Sequence, residues 1–133
     1  MSSPYLIQFP KLGAPDIGYI TVAEGTHLIP FAVARTFWTY HTPESIVRGR
    51  HAHHQTQQVL VAVAGRITVT TEVLGSPVQT FVLDQPTVGL YIPPHAWHTM
   101  QYSAGAVQLA LASGTYDPAD YIRDYEDFKR VWG

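Results

Sequence analysis

Cysteine is absent from the 133-residue sequence, and charged side chains are scarce, at 14% of residues. The lack of cysteine excludes disulfides, thiolate nucleophiles, iron–sulfur clusters and cysteine zinc sites. The formal net charge is −2, so there is no basic field to attract nucleic acid or an anionic membrane. No segment approaches the ~18 consecutive apolar residues of a membrane span. The first ten residues lack the basic and apolar regions of a secretory signal, which predicts a cytoplasmic location.

Glycine and proline, ten of each, are spread along the sequence rather than clustered. Evenly spaced breakers between short apolar runs are typical of an all-β sandwich or barrel. With 46% apolar residues, the chain can build one ordinary core, and we expect a single domain over residues 1–133. Hairpin turns are predicted at Ala64–Gly65 and at Gly75-Ser76-Pro77. The predicted strands are Tyr5–Phe9, Tyr19–Ala23, Ala32–His41, Arg50–His53, Gln57–Ala64, Ile67–Val73, Val78–Leu83, Gly89–Ile92, Thr99–Ser103 and Ala106–Ala112.

The spacing of apolar residues changes near the C-terminus, over Asp117–Trp132. Apolar residues there recur every three or four positions, which indicates one face of an amphipathic helix. Asp117 is a suitable N-cap, Pro118 suits the first turn, and Asp120 can complete the capping arrangement. We predict one short C-terminal helix over this range, packed against the outside of a β-barrel.

Histidine is unusually frequent, with seven residues compared with eight lysines and arginines together. The candidate catalytic residues are two of these histidines, in the segment His51-Ala52-His53. On a strand, residues two apart point to the same side, so both imidazoles enter one space. Polar residues facing a barrel interior are costly unless they serve a function. Histidine also has an intrinsic pKa suited to proton transfer near neutrality. The pair is therefore the predicted catalytic centre.

The surroundings of this pair resemble the two cupin motifs. His51, His53 and the later His98 fall at the three histidine positions of a metal-binding cupin. The position that usually holds glutamate is Gln58, and a neutral amide is a poorer ligand for a divalent ion. This departure favours a cupin site without metal.

A more specific resemblance is carried by six segments in order along nearly the whole chain. They are Ile29-Pro30-Phe31 with Arg35, Arg48-Gly49-Arg50-His51-Ala52-His53-His54, Gln58-Val59-Leu60, Gly89-Leu90-Tyr91-Ile92-Pro93-Pro94, Trp97-His98-Thr99-Met100 and Asp120-Tyr121-Ile122-Arg123-Asp124-Tyr125. With them the chain resembles the sugar nucleotide 3,4-ketoisomerases. The resemblance implies a cupin-type antiparallel β-barrel (jelly roll). It also implies a homodimer with exchanged N-terminal strands.

The resemblance implies an isomerase that converts dTDP-4-keto-6-deoxyglucose to a dTDP-3-keto-6-deoxyhexose, in deoxyamino sugar biosynthesis. No cofactor and no metal are expected, because the redox change is internal to the sugar. His51 is expected to shuttle a proton between carbons 3 and 4, with His53 as an acid or oxygen-binding partner. Arg35 and Arg48 are expected to bind the diphosphate, because guanidinium groups match phosphate oxygens.

Gln58, Tyr91 and His98 are the other predicted substrate-binding residues. Family members that make the galacto-configured product tend to have histidine at the His98 position, which favours a galacto product here. Ile17 differs from the Arg or Tyr that members often carry at its position.

Two other functions remain open from the residues alone. The first is a metal-dependent cupin enzyme with His51, His53 and His98 as ligands. The second is a non-catalytic sugar-binding cupin, because a fold does not fix a function.

Overall fold

The computed structural model describes residues 2–25 and 27–132. The strands are β1 (Tyr5–Gln8), β2 (Lys11–Ala14), β3 (Gly18–Thr21), β4 (Arg35–Tyr40), β5 (Val47–His53), β6 (Gln58–Ala64), β7 (Ile67–Glu72), β8 (Gln79–Leu83), β9 (Val88–Ile92), β10 (Trp97–Tyr102), β11 (Val107–Ala112) and β12 (Tyr121–Ile122). The helix α1 covers Tyr125–Trp132 and follows a short 3₁₀ turn at Pro118–Asp120.

Two five-stranded antiparallel sheets form the body of the protein. Their strand orders are β1-β9-β6-β11-β4 and β12-β5-β10-β7-β8, and β2 pairs with β3 in a separate hairpin. Buried side chains from both sheets meet between them, including Leu60 and Leu90 from the first sheet and Ile67 and Val69 from the second. Within the described residues no strand pair joins the sheets into a closed barrel. The predicted all-β jelly roll is thus confirmed as two facing sheets.

The central strand β6 is buried on both faces, because the N-terminal segment covers its outer side. Residues Val59 and Val61 of β6 contact a second apolar cluster that includes Ile7, Phe31 and Tyr91. The side chains of Leu60 and Ala62 point instead into the core between the sheets. This alternation places Tyr91, which pairs with Val59, on the outer face of the first sheet.

The turn at Gly65 is not a hairpin, so this prediction is wrong. Strands β6 and β7 flank it but belong to different sheets. Gly65 has a φ of 73°, and a Cβ there would lie 2.7 Å from the Cα of Ala106. The residue is therefore a tight corner that carries the chain across the core. The other predicted turn is confirmed, since β7 and β8 pair on either side of Gly75-Ser76-Pro77.

The C-terminal prediction is also corrected, because the helix begins at Tyr125 and not near Asp117. Asp117 caps only the 3₁₀ turn, through a 3.0 Å bond from the Ala119 amide. The next residues then pair with β5 as strand β12. Asp124 accepts a 2.9 Å hydrogen bond from the Asp127 amide and so caps the helix start.

The helix packs against the outer side of β5, as predicted. Phe128 is fully buried there with Ala52 and Ile122. In the described part of the chain, no helix has the length and apolarity needed to cross a membrane. The sequence does not predict strand β2, because Lys11–Ala14 is short and largely exposed.

Candidate active site

Three predicted site residues come together in the interior between the sheets. His51 and His53 lie on β5, and His98 lies opposite His51 on the neighbouring strand β10. The His51 ring centroid is 5.0 Å from that of His53 and 4.6 Å from that of His98. His53 and His98 are 5.9 Å apart. The side chains of His53 and His98 are almost completely buried, whereas that of His51 is half-buried.

The three imidazoles share one hydrogen-bonding pattern through Nδ1. That atom of His51 lies 3.1 Å from the Gly49 carbonyl, and that of His98 lies 3.0 Å from the Ala96 carbonyl. In His53 it lies 3.0 Å from Oδ2 of Asp120. Carbonyl and ionised carboxylate oxygens only accept, so Nδ1 carries the proton in each neutral ring. The Nε2 atoms are left unprotonated, and those of His53 and His98 are buried without a partner.

The site keeps its histidines neutral. Burial, reinforced by repulsion from His98 and His53, lowers the pKa of His51 to about 2. Burial lowers the pKa of His98 to about 4, although the hydrogen bond to the Ala96 carbonyl opposes the shift. Burial also lowers the pKa of His53, although the Asp120 carboxylate opposes the shift. At neutral pH the cluster therefore offers proton acceptors rather than acids.

A β-bulge in β5 sets which side chains share the pocket. Gly49 and Arg50 have φ angles of 83° and 59°, and the pairing with β10 shifts register beside them. A Cβ at Gly49 would lie 2.8 Å from the His98 carbonyl oxygen. The extra residue turns Arg50 outward, so that Arg48 lines the same pocket as His51. Simple alternation would have put Arg48 on the opposite face.

The pocket itself has a volume of about 200 Å³ and opens beside His51. Its polar lining comes from both sheets and from the segment after the 3₁₀ turn. The polar side chains are those of Thr39, Arg48, His51, Gln58, Tyr102, Gln108, Tyr121 and Arg123.

The C-terminal segment supplies three residues that sequence reasoning missed, because it assigned them to a helix. Asp120 accepts from the ring of His53 and, at 2.8 Å, from the amide of Gln55. Tyr121 lies 4.5 Å from the His53 ring, and the Arg123 guanidinium lies 4.3 Å above the Tyr121 ring. The alternation of Tyr121, buried Ile122 and Arg123 is the strand signal that could have located them.

Burial by itself would raise the pKa of Asp120. Hydrogen bonds from Thr56, the Gln55 amide and His53 outweigh it and lower that pKa. The carboxylate is therefore ionised beside the neutral His53 ring, ready to stabilise a positive charge on it.

The remaining predicted residues divide between the pocket and its surroundings. Arg48 and Gln58 line it. Arg35 lies beside Phe37, its guanidinium 5.2 Å from that ring, and its Nε is buried without a partner. Tyr91 is placed away from the histidines, and its hydroxyl donates a 2.7 Å hydrogen bond to Gln57. The structure thus brings together every predicted residue except Arg35, which adjoins the pocket, and Tyr91.

Comparison with known proteins decides the family. The family described as FdtA, WxcM-like, C-terminal matches residues 2–133. The chain belongs to the FdtA family. The ketoisomerase-like family predicted from the sequence is therefore confirmed.

Several similar proteins have named activities. The TDP-4-oxo-6-deoxy-α-D-glucose 3,4-oxoisomerase of Aneurinibacillus thermoaerophilus is 40% identical over 126 residues, covering 94% of this chain and 89% of that protein. A histidine-to-asparagine variant of the QdtA 3,4-ketoisomerase from Thermoanaerobacterium thermosaccharolyticum was solved with TDP-4-keto-6-deoxyglucose. It superposes with a TM-score of 0.93 at 32% identity, covering 99% and 95% of the two chains. The WlaRB TDP-quinovose 3,4-ketoisomerase from Campylobacter jejuni superposes with a TM-score of 0.90 at 30% identity. The superposition covers 98% of this chain and 99% of that one.

Proposed function

We propose that the protein is a sugar nucleotide 3,4-ketoisomerase acting on TDP-4-keto-6-deoxyglucose, the dTDP sugar expected from the sequence. The observation that carries this proposal is the cluster of neutral histidines, with free Nε2 atoms, beside one small pocket. Moving a carbonyl from carbon 4 to carbon 3 requires a base near carbon 3 and a proton for carbon 4. Such a cluster supplies both without a redox cofactor.

His51 is the proton shuttle in this mechanism. It lines the pocket and is less buried than the other two rings. Its Nε2 takes the proton from carbon 3, and the electron pair of that C–H bond forms the double bond of an enediolate. The low pKa of His51 then favours return of the proton, now to carbon 4. A proton transferred between the two oxygens completes the isomerisation.

His53 and Arg123 stabilise the charges that appear along this path. Nε2 of neutral His53 can take the proton from the carbon-3 hydroxyl and pass it to the carbon-4 oxygen, and Asp120 at 3.0 Å would stabilise the ring while it is protonated. Arg123 is a fixed cation that lines the same pocket. It opposes protonation of His51 in the free enzyme, and an enediolate oxygen between them would offset that repulsion.

The nucleotide must extend outside the pocket. Typical small-molecule sites span about 300–1,000 Å³, more than the 200 Å³ enclosed here. We therefore place the hexose ring inside and the diphosphate at the rim. Arg48 is exposed at that rim, and the unpartnered Nε of Arg35 is a second phosphate donor behind it.

The test is to incubate the protein with TDP-4-keto-6-deoxyglucose in deuterated water and to follow carbons 3 and 4 by NMR. We expect a 3-keto product and deuterium at carbon 4 in at least part of it. Product formed only after metal is added to EDTA-treated enzyme would favour the metal-dependent alternative. Binding of the sugar nucleotide without exchange or isomerisation would favour the non-catalytic alternative.

For the product we propose the galacto configuration at carbon 4. His98 is fully buried in the histidine cluster, and its Nε2 has no partner in the free protein, so it can accept a hydrogen bond. An acceptor there can hold a water or a hydroxyl on one face of the sugar, whereas Arg could only donate. The configuration of the trapped product decides the question. We expect His98→Arg to shift the product ratio towards the gluco epimer, and a gluco product from the native enzyme would contradict the assignment.

We also propose a homodimer in which N-terminal strands are exchanged. The β2–β3 hairpin pairs with no other described strand, and it exposes Leu12 and Ile20. Strand β1 pairs with β9 of its own chain, so the exchange we propose concerns this hairpin. Sedimentation should show a dimer that Ile20→Asp converts to a monomer, whereas Val82→Asp on exposed β8 should leave it intact.

A further inference from the structure

Gln108 carries an amide whose orientation is set by the protein and whose donors are left for the pocket. The residue lies on β11 opposite Thr39 of β4, and it is buried, with 1% of its surface exposed. The hydroxyl of Tyr102, which reaches across from the other sheet, lies 3.2 Å from Oε1 of Gln108. In the described part of the chain the NH₂ group of Gln108 has no protein partner, and the residue lines the pocket beside His51.

A chain of hydrogen bonds fixes which end of this amide faces the pocket. Burial raises the pKa of the Tyr102 hydroxyl, although Arg48 and a hydrogen bond with Thr39 oppose the shift, so the hydroxyl keeps its proton. The bond with Thr39 favours the ionised form of Tyr102, which means that Thr39 donates to the Tyr102 oxygen. Tyr102 then donates its own proton to Oε1 of Gln108. The NH₂ group therefore opens to the pocket, with two donors and no acceptor.

We propose that the Gln108 amide donates a hydrogen bond to the carbon-4 oxygen of the sugar and stabilises the negative charge that develops there. This inference rests on the proposed function and adds a catalytic residue to it. A carbonyl oxygen only accepts hydrogen bonds, whereas the hydroxyls on carbons 2 and 3 also donate and so need an acceptor. A group that presents only donors therefore matches the carbon-4 carbonyl better than either hydroxyl.

The charge on this oxygen appears in the first proton transfer. His51 takes the proton from carbon 3, and the electron pair of that C–H bond forms the double bond between carbons 3 and 4. The electron pair of the carbonyl double bond moves onto the carbon-4 oxygen, which becomes an enolate oxygen. A donor that is already oriented stabilises this charge without reorganisation.

The architecture places Gln108 on the wall of the pocket that faces His51. Gln108 lies on β11 of the first sheet, and His51 lies on β5 of the second. The pairing of β11 with β6 shifts register between Val107 and Gln108, and such an irregularity can redirect a side chain. A sugar between the sheets thus meets the base from one sheet and the donor from the other.

Gln108→Glu is the discriminating substitution. A carboxylate keeps the shape of the amide and an acceptor for Tyr102, but it replaces both donors by an oxygen. Arg48 and Arg123, which line the same pocket, favour its ionised form at pH 8. We expect kcat to fall by about 10²–10³-fold, the usual effect of losing one oxyanion donor, and deuterium exchange at carbon 3 to slow in parallel. TDP should still bind, because it has no sugar to contact Gln108, and this binding shows that the variant is folded.

Two further variants serve as controls. Gln79→Glu makes the same change at an exposed residue of β8 and should keep the native kcat. Tyr102→Phe removes the hydroxyl that orients the amide but keeps its donors, so we expect kcat to fall only about threefold to tenfold. A folded Gln108→Glu protein that turns over like Gln79→Glu would overturn the inference. If Gln108→Glu does not fold, a native kcat in Tyr102→Phe would overturn it instead.

NMR of the Gln108 side-chain amide separates this inference from the proposed function. Its N–H protons should shift when TDP-4-keto-6-deoxyglucose is added to His51→Asn protein, in which the sugar should not turn over, and TDP alone should not shift them. An inactive native protein with this shift would refute the ketoisomerase and leave the contact in place. An active native protein without the shift would overturn the contact and leave the ketoisomerase in place. Absence of both activity and shift would overturn both proposals.

Discussion

Replacing Asp120 by Asn is the sharpest test of how the C-terminal segment serves the site. The carboxylate uses Oδ2 for the His53 ring at 3.0 Å and Oδ1 for the Gln55 amide at 2.8 Å. An amide has one acceptor oxygen for these two donors and for the Thr56 hydroxyl, which also bonds to Asp120. Either its NH₂ group faces Nδ1 of His53 and forces the ring proton onto Nε2, or the Gln55 N–H loses its partner. The negative charge that would stabilise a protonated His53 is lost in both cases.

The size of the effect can be worked from the geometry. Opposite charges about 4 Å apart interact by about 4 kcal/mol at an effective dielectric constant of 20. Losing that interaction in the transition state would slow turnover about 10³-fold. Asp120 is mostly buried, with 12% of its side chain exposed, so solvent screening reduces this value only partly. We expect Asp120→Asn to lower kcat by 10²–10³-fold with little change in the dissociation constant for TDP.

Two measurements separate this role from a structural one. Nitrogen NMR of the His53 ring should show the proton on Nδ1 in the native protein and a changed tautomer in Asp120→Asn. Asp117→Asn is the matched control, because it makes the same charge change in the same segment. Among residues 2–25 and 27–132, the Asp117 side chain accepts a hydrogen bond only from the nearby Ala119 amide. A kcat for Asp120→Asn within threefold of that control, with the native tautomer, would refute the reasoning.

Four further outcomes follow from the site. His51→Asn should lower kcat by at least 10²–10⁴-fold and abolish deuterium exchange at carbon 3, while TDP still binds by calorimetry; retained exchange would reassign the shuttle. Arg48→Ala should raise the dissociation constant for TDP about tenfold, whereas Arg50→Ala, which changes the outward-facing arginine of the same bulge, should not. The folded-state pKa of His98, about 4, is below its ordinary 6.5, so its contribution to stability is present above pH 6.5 and is lost as pH falls towards 4. In urea unfolding, the free energy of unfolding should therefore change with pH by up to ~3 kcal/mol less in His98→Gln than in the native protein over that range. If the free energy changes with pH equally in both proteins, burial of His98 is not the cause. Gly49→Ala should lower the melting temperature by several degrees, because the new Cβ would meet the His98 carbonyl at a φ of 83°; a native melting temperature would show that the bulge can relax.

The sheets and the histidine pair could be predicted because they depend on local alternation. Short runs between glycines and prolines identified most strands, and the spacing of His51 and His53 placed both rings on one face. The Gly65 corner could not be told from a hairpin, because both require a tight turn with a positive φ. Only the core between the sheets determines whether the chain turns back or crosses.

The C-terminal segment shows why local signals failed near the site. Asp117 and Pro118 do start a helical turn, but Asp120 satisfies His53 and the Gln55 amide, which lie 67 and 65 residues earlier in the chain. Tyr121 pairs with His53 in strand β12. The backbone hydrogen bonds of this pairing replace those that the segment would have made as a helix. Long-range partners therefore overrode a favourable local propensity, and they did so at the functional centre.

The bulge in β5 and the C-terminal segment together explain how a sheet interior becomes a reactive site. A regular β5 would place His51 and His53 inside but would direct Arg48 away from them. The bulge at Gly49 and Arg50 adds Arg48 to the same face and turns Arg50 outward. Strand β12 then pairs with the edge of β5, and Asp120, the residue before it, brings its carboxylate to His53, the more buried of the two rings. The neutral acceptors thus lie in the core, while Arg48, for which we propose phosphate binding, lies at the rim, where solvent lowers the cost of an unpaired charge.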